Sequence, residues 1–204
     1  MFIEQPPWLF RKLYPQAIFR MDPNERSVYL TFDDGPIPEV TEWVLDTLEH
    51  YGIKATFFMV GDNIRKYPDE YQRVVERGHR IGNHTYHHIR GFEYSNPDYL
   101  ADAQEVDKVI GSKLFRPPHG HMGFRQYYTL RHHYRIIMWD VVTRDYSKCL
   151  RPEEVLAIVK RYTRNGSIIT FHDSRKSWEN GNLRYALPRA IEFLQGEGYE
   201  FKVL

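Results

Sequence analysis

Apolar strand-like runs and helix-period segments take turns along almost the whole of this 204-residue chain. That alternation limits the folds open to it more than any other feature. Runs at 28–32, 55–60, 80–83, 113–115, 135–139, 167–171 and 200–204 predict seven strands. Amphipathic segments at 39–51, 69–77, 98–110, 124–132, 152–164 and 183–198 predict the helices between them. Val40, Trp43, Val44, Thr47 and Leu48 trace one helical face. Pro38, Pro97 and Pro152 stand near helix starts, and Gly52, Gly78, Gly111 and Gly166 punctuate the ends. A β/α alternation of this kind predicts a mostly parallel sheet buried under helices, either closed as a barrel or open and doubly wound. In both architectures the chemistry gathers at the carboxyl ends of the strands.

Those strand ends carry an unusual set of polar residues. Asp33 and Asp34 follow the apolar run Val28, Tyr29, Leu30, with Gly35 and Pro36 behind them. Two like charges there resist burial and call for a cation, a proton or both; Asp-Gly-Pro is also good turn chemistry. After the third strand come His84, His87 and His88. His84 and His88 are four apart, so on one helical turn they project side by side and can reach one metal ion, while His87 points elsewhere. A polar, His-rich loop is the plainer reading of the same residues. After the fourth strand, Arg116 precedes Pro117, Pro118, His119 and Gly120, a stiff segment whose guanidinium can clamp a carboxylate. Trp139, Asp140, Asp145 and Tyr146 follow the fifth strand, and His172, Asp173 and Ser174 the sixth.

In this order the strand ends resemble the polysaccharide deacetylase family, the NodB-homology domain of carbohydrate esterase family four. The resemblance rests on Thr31–Pro36 as Thr-Phe-Asp-Asp-Gly-Pro; on His84, Thr85 and His88; on Arg116, Pro117, Pro118 and Gly120; on Asp145 before Tyr146; and on His172. It implies a distorted (β/α)7 barrel, a single domain over 1–204 in which 1–26 is a lead-in, and hydrolysis of the acetamido group of N-acetylglucosamine-type sugars with release of acetate. It further implies Asp33 as general base and Asp34, His84 and His88 as ligands of a divalent metal. Zinc is the first expectation, with cobalt, nickel and manganese compatible with the same ligands. Arg116 is expected to orient Asp33, the His119 N–H to face the oxyanion, and His172, held by Asp145, to protonate the departing amine. Departures from the family pattern are His119 and Tyr146, where Tyr and Trp are common, Thr170 in place of Leu, and Val142 in place of an Asp. Thr170 and Tyr146 occupy positions that line the acetyl-methyl pocket in the family.

Composition narrows the alternatives. Lys plus Arg (28) nearly balance Asp plus Glu (27), so the chain lacks the basic excess of a nucleic-acid binder. The one cysteine, Cys149, excludes an internal disulfide framework and reads as an ordinary thiol. The first ten residues hold Glu4, Pro6 and Pro7 and no seven-residue apolar stretch, so neither a leader nor a membrane span is visible and a cytoplasmic monomer is the expectation. Trp8 and Trp43 are expected to pack in the core and Trp178 and Tyr185 to stand at the rim of a sugar site. Arg175 and Lys176 read as a solvated face able to attract an anionic carbohydrate or lipid-linked sugar, Asp173 and Ser174 as a turn, and Asp140 is assigned no role in the site. Two other readings compete: a relative cleaving another C–N bond, such as a cyclic imide or ureide, and a non-catalytic sugar-binding module.

Overall fold

A computed structural model describes residues 4–204; residues 1–3, the start of the predicted lead-in, lie outside the described residues. Its centre is a curled parallel sheet in the order β5-β4-β3-β2-β1-β7-β6. The strands are β1 (Ser27–Asp33), β2 (Thr56–Met59), β3 (Arg80–Asn83), β4 (Leu114–Phe115), β5 (Arg135–Ile136), β6 (Val141–Val142) and β7 (Ser167–His172), and β8 (Glu200–Phe201) pairs with the start of β1. The helices are α1 (Trp8–Leu13), α2 (Val40–His50), α3 (Gly61–Lys66), α4 (Pro68–Glu76), α5 (Asn96–Glu105), α6 (Phe124–Leu130), α7 (Pro152–Tyr162), α8 (Arg175–Glu179) and α9 (Asn182–Gly196).

Strand β1 sits in the middle, between β2 and β7, and all seven of its residues are buried. Successive side chains point to opposite faces. Val28, Leu30 and Phe32 therefore join the helical layer, where they meet Val44, Leu45 and Leu48 of α2, Val155 and Val159 of α7, and Leu187 and Ile191 of α9. Tyr29 faces the barrel interior with Phe58, Ile137 and Ile168. The same alternation sends Thr31 and Asp33 inward, so the last residue of the strand delivers a carboxylate to the mouth of the barrel.

Each predicted strand and each predicted helix has a counterpart, with several shortened. The run at 135–139 is strand only over Arg135–Ile136, and Val141–Val142 forms a strand that periodicity cannot find because it is two residues long. Three short helices were not foreseen: α1, α3 and α8. The lead-in spans the gap between the two ends of the sheet. Ile18 pairs parallel with Ile137, just beyond β5, and Arg20 pairs antiparallel with Ser167 at the entry to β7. Trp8, expected in the core, is instead 67 % exposed, with Lys12 Nζ 4.0 Å above its ring; Trp43 packs on the core as expected. Among the described residues no helix is long and apolar enough to cross a membrane.

Candidate active site

The β1 register places Asp33 beside Phe58 of β2 and His172 of β7. Asp34 then turns out of the strand with φ 83°, a left-handed conformation that costs an L-residue energy unless the surroundings impose it. They do so from three sides. Asn63 Nδ2 donates to Asp34 O at 2.8 Å, Val60 N donates to Gly35 O at 3.0 Å, and Gly35 N donates to Asp173 Oδ1 at 3.1 Å. Asp173 is fully buried, and its second oxygen accepts from Thr41 Oγ1 at 2.7 Å. A Cβ on Gly35 would lie 2.0 Å from Asp173 Oδ2, so glycine is required for this approach. Burial and the nearby Asp34 charge push Asp173 up to about 8, against the hydrogen bonds it accepts. Asp173, read from sequence as turn chemistry, thus fastens the β7 turn to the β1 turn.

His84 and His88 do converge on Asp34, but from a loop rather than the expected helical turn. Thr85 (φ 63°) and His88 (φ 55°) both adopt left-handed backbone, which folds the segment back on itself. Asn83 shapes it: its Oδ1 accepts from Thr85 N at 2.8 Å and its Nδ2 donates to Ala103 O at 2.7 Å. His84 Nδ1 lies 2.8 Å from Arg116 O. A carbonyl only accepts, so Nδ1 carries the proton and Nε2 presents its lone pair to the site. His88 Nε2 stands 3.0 Å and His84 Nε2 3.7 Å from Asp34 Oδ1, and one ligand atom from each of the three residues lies within 4.8 Å of the others. Burial lowers His84 to about 4, helped by His88 and opposed by Asp33 and Asp34, which keeps the imidazole neutral. Burial alone would raise Asp34, but the hydrogen bond to His88 and the positive charge of His172 hold it well below the usual carboxylate range. Two imidazole nitrogens and one carboxylate oxygen, one tautomer already fixed, fit a borderline divalent cation. His87 points away, as expected, and pairs with Asp102 at 2.5 Å.

Arg116 is fully buried, and its Nη1 pairs with Asp33 Oδ1 at 2.6 Å. The guanidinium also donates to Thr31 Oγ1 (2.8 Å) and Met138 O (3.0 Å) and lies 4.1 Å from the centroid of the Phe58 ring. Asp33 Oδ1 is thereby occupied, while Oδ2 lies 4.0 Å from His84 Nε2. Thr31 Oγ1 is 3.0 Å from Thr170 Oγ1, so the hydroxyl that departs from the family's Leu is taken up by the Thr31–Arg116 network. His119 adopts φ 57°, and its backbone N–H has no partner among the described residues. Across the mouth, His172 Nδ1 lies 2.8 Å from Asp145 Oδ1, and the His172 backbone N–H donates to Asp145 Oδ2 at 2.9 Å. Asn180 and Asn182 in turn donate to the Asp145 carbonyl at 2.8 and 3.0 Å. Burial disfavours a charged His172, but Asp145, Asp34 and Asp33 outweigh it and raise the group to about 9.

One cavity of about 580 Å³ gathers Asp33, Asp34, His84, His88, His119, Val142, Tyr146, Thr170 and His172, with Arg116 and Asp145 touching it through Asp33 and His172. A sequence profile described as polysaccharide deacetylase matches residues 20–132. The chain belongs to the polysaccharide deacetylase family. A peptidoglycan-N-acetylglucosamine deacetylase of Bacillus cereus is 31% identical over 188 residues, covering 89% of this deacetylase-family chain and 68% of the relative. A chitooligosaccharide deacetylase of Rhizobium leguminosarum bv. trifolii is 30% identical over 201 residues, covering 89% and 91%. The crystal structure of a peptidoglycan N-acetylglucosamine deacetylase bound to 4-naphthalen-1-yl-N-hydroxybenzamide superposes with TM-score 0.84 at 30% identity, over 97% of this chain and 94% of that one. The curled sheet is thus the distorted (β/α)7 barrel of the family.

The expected aromatic rim is in the wrong place. Trp178 packs edge-on against Trp43, 5.5 Å between centroids, and Tyr185 joins the same core, so neither lines the cavity. The aromatic lining of this deacetylase comes from Phe10, Trp139 and Tyr146, joined by Pro6 and Pro7. Lys176 reaches the cavity, whereas Arg175 does not line it. Asp140 is fully buried between Arg11 (2.6 Å) and Arg164 (2.7 Å) and does not line the cavity, in keeping with its exclusion from the site. Sequence reasoning missed Asn63, Asn83, Asp173 and the lead-in. Asn83 alone left a signal, an amide at a strand end immediately before the first histidine.

Proposed function

We propose that this protein is a metal-dependent N-deacetylase of N-acetylglucosamine-type sugars in a polysaccharide, oligosaccharide or glycoconjugate. The observation that carries the reading is that two oppositely prepared proton carriers, Asp33 held by Arg116 and His172 held by Asp145, face one cavity with a three-residue cation cradle between them. Asp34, His84 and His88 would hold the cation, zinc being the best match to two imidazoles and a carboxylate. Bound there, a divalent cation supplies Lewis acidity toward the acyl oxygen and the attacking water.

The protein's own groups do the rest. Asp33 takes the proton of the attacking water through Oδ2, the oxygen that Arg116 leaves free. The His119 N–H, unpaired in the left-handed bend, donates to the oxyanion as the carbonyl becomes tetrahedral. His172, positively charged at neutral pH, gives its proton to the nitrogen as the C–N bond breaks. Asp145 keeps Nδ1 engaged so that Nε2 is the nitrogen that delivers the proton. Water is consumed, one C–O bond replaces one C–N bond, and acetate and a free amine leave.

The test is acetate release from N-acetylglucosamine oligomers and other acetylated glycans by protein stripped of metal and reloaded with zinc, cobalt, nickel or manganese. Asp33→Asn and His84→Ala should each abolish release. Retained release in both variants would overturn the proposal.

A further inference from the structure

Helix α1 has no fully buried residue and packs on the barrel through half-buried Phe10, so the hydrophobic effect alone holds it weakly. Nor is it needed to bridge the ends of the sheet, since Ile18 and Arg20 make those contacts. It is nevertheless anchored on both sides. Glu4 O accepts from Val142 N at 2.8 Å, and the Glu4 carboxylate pairs with Arg144 at 2.5 Å, next to Asp145. Arg11 pairs with fully buried Asp140 at 2.6 Å and donates back to Pro6 O at 3.1 Å. Between these anchors Pro6, Pro7 and Phe10 line the cavity that contains Asp33, Asp34 and His172. Trp139 lines the same cavity and packs on the same apolar cluster as Phe10.

Resting on the reading that the cavity takes a glycan, we propose that residues 4–13 form a specificity wall of the catalytic site. Phe10 and Trp139 hold the apolar C–H face of a pyranose ring that adjoins the reacting one. The substrate class is then a glycan of at least two rings, and the wall acts on affinity rather than on the chemical step. An aromatic platform of this kind supplies binding through one rigid, mostly apolar surface.

The experiment uses the full chain with Asp33→Asn, so that no turnover intervenes, titrated with N-acetylglucosamine and with its β-1,4-linked tetramer. Adding Phe10→Ala should raise Kd for the tetramer about five-fold and leave Kd for the single sugar within about two-fold. Glu4→Gln, which loosens the anchor and keeps the ring, should weaken the tetramer in the same selective way by a smaller factor, with thermal unfolding checking that each variant is folded. An unchanged tetramer Kd in both variants, an equal loss for both sugars, or a parent that binds the tetramer no better than the single sugar overturns the wall. Failure of the deacetylase reading shows separately: the unmodified chain would then bind the tetramer, with the Phe10 dependence intact, and release no acetate.

Discussion

Replacing Arg116 by Met tests how the buried carboxylate at the end of β1 is sustained. The side chains of Arg116 and Asp33 are 0% and 6% exposed, with 2.6 Å between Nη1 and Oδ1, so the pair belongs with interior ion pairs rather than surface ones. Removing one partner of such a pair leaves a charge without compensation and costs about 3–5 kcal/mol, against about 0–1 kcal/mol for an exposed pair. Met keeps length and apolar contact with Phe58, so the loss reports the charge and the donors, among them those to Thr31 Oγ1 and Met138 O. For a chain of this length that corresponds to a fall in Tm of about 6–20 °C. Urea unfolding of the parent, Arg116→Met, Asp33→Asn and the double variant closes a cycle. Neutralising Asp33 in the Met background should restore about 1–3 kcal/mol. A loss under about 1 kcal/mol for Arg116→Met, or no recovery in the double variant, would refute the claim that Arg116 exists to compensate Asp33.

Two further outcomes follow from the same geometry. His172, raised to about 9, should keep its acid function through neutral pH, so deacetylation falls as pH climbs through about 9, and Asp145→Asn should move that alkaline limb to lower pH in a pH–rate profile. The raised value also means that the stability His172 contributes is complete below about 6.5 and is lost as pH rises through about 9, which unfolding curves at several pH values would register. Asp173, pushed up to about 8 and therefore neutral at pH 7, should tolerate replacement by Asn, whereas Ala orphans the Gly35 N–H and should cost about 1–3 kcal/mol together with a measurable loss of metal affinity at Asp34.

Much of the site was legible because each residue type followed an apolar run and needed a reason to be there. The division of Asp33 and Asp34 into base and ligand came from the family resemblance; the structure adds that the period-2 alternation of β1 sends Asp33 inward while Asp34 turns out of the strand. The His84–His88 spacing gave the right partners through the wrong geometry. A helical turn and a loop with two left-handed residues both bring positions four apart together, and only the side chain of Asn83 chooses between them. The lead-in was opaque for a different reason. Its anchors join Glu4 to Arg144 and Arg11 to Asp140, more than a hundred residues away, and no local pattern announces such pairings. Trp178 and Trp139 show the same limit, since an aromatic in a loop and an aromatic near a strand end look equally suited to a sugar rim until packing assigns one to the core and the other to the cavity.

The central claim is that two adjacent carboxylates at one strand end divide the work, Asp34 holding the cation and Asp33 moving the proton. Calorimetric titration of metal-stripped Asp33→Asn and Asp34→Asn with zinc, alongside acetate release, tests it most directly. Both variants should lose activity, with Asp33→Asn binding zinc within about three-fold of the parent and Asp34→Asn more than about 100-fold more weakly. Equal zinc affinity in the two variants would contradict the division.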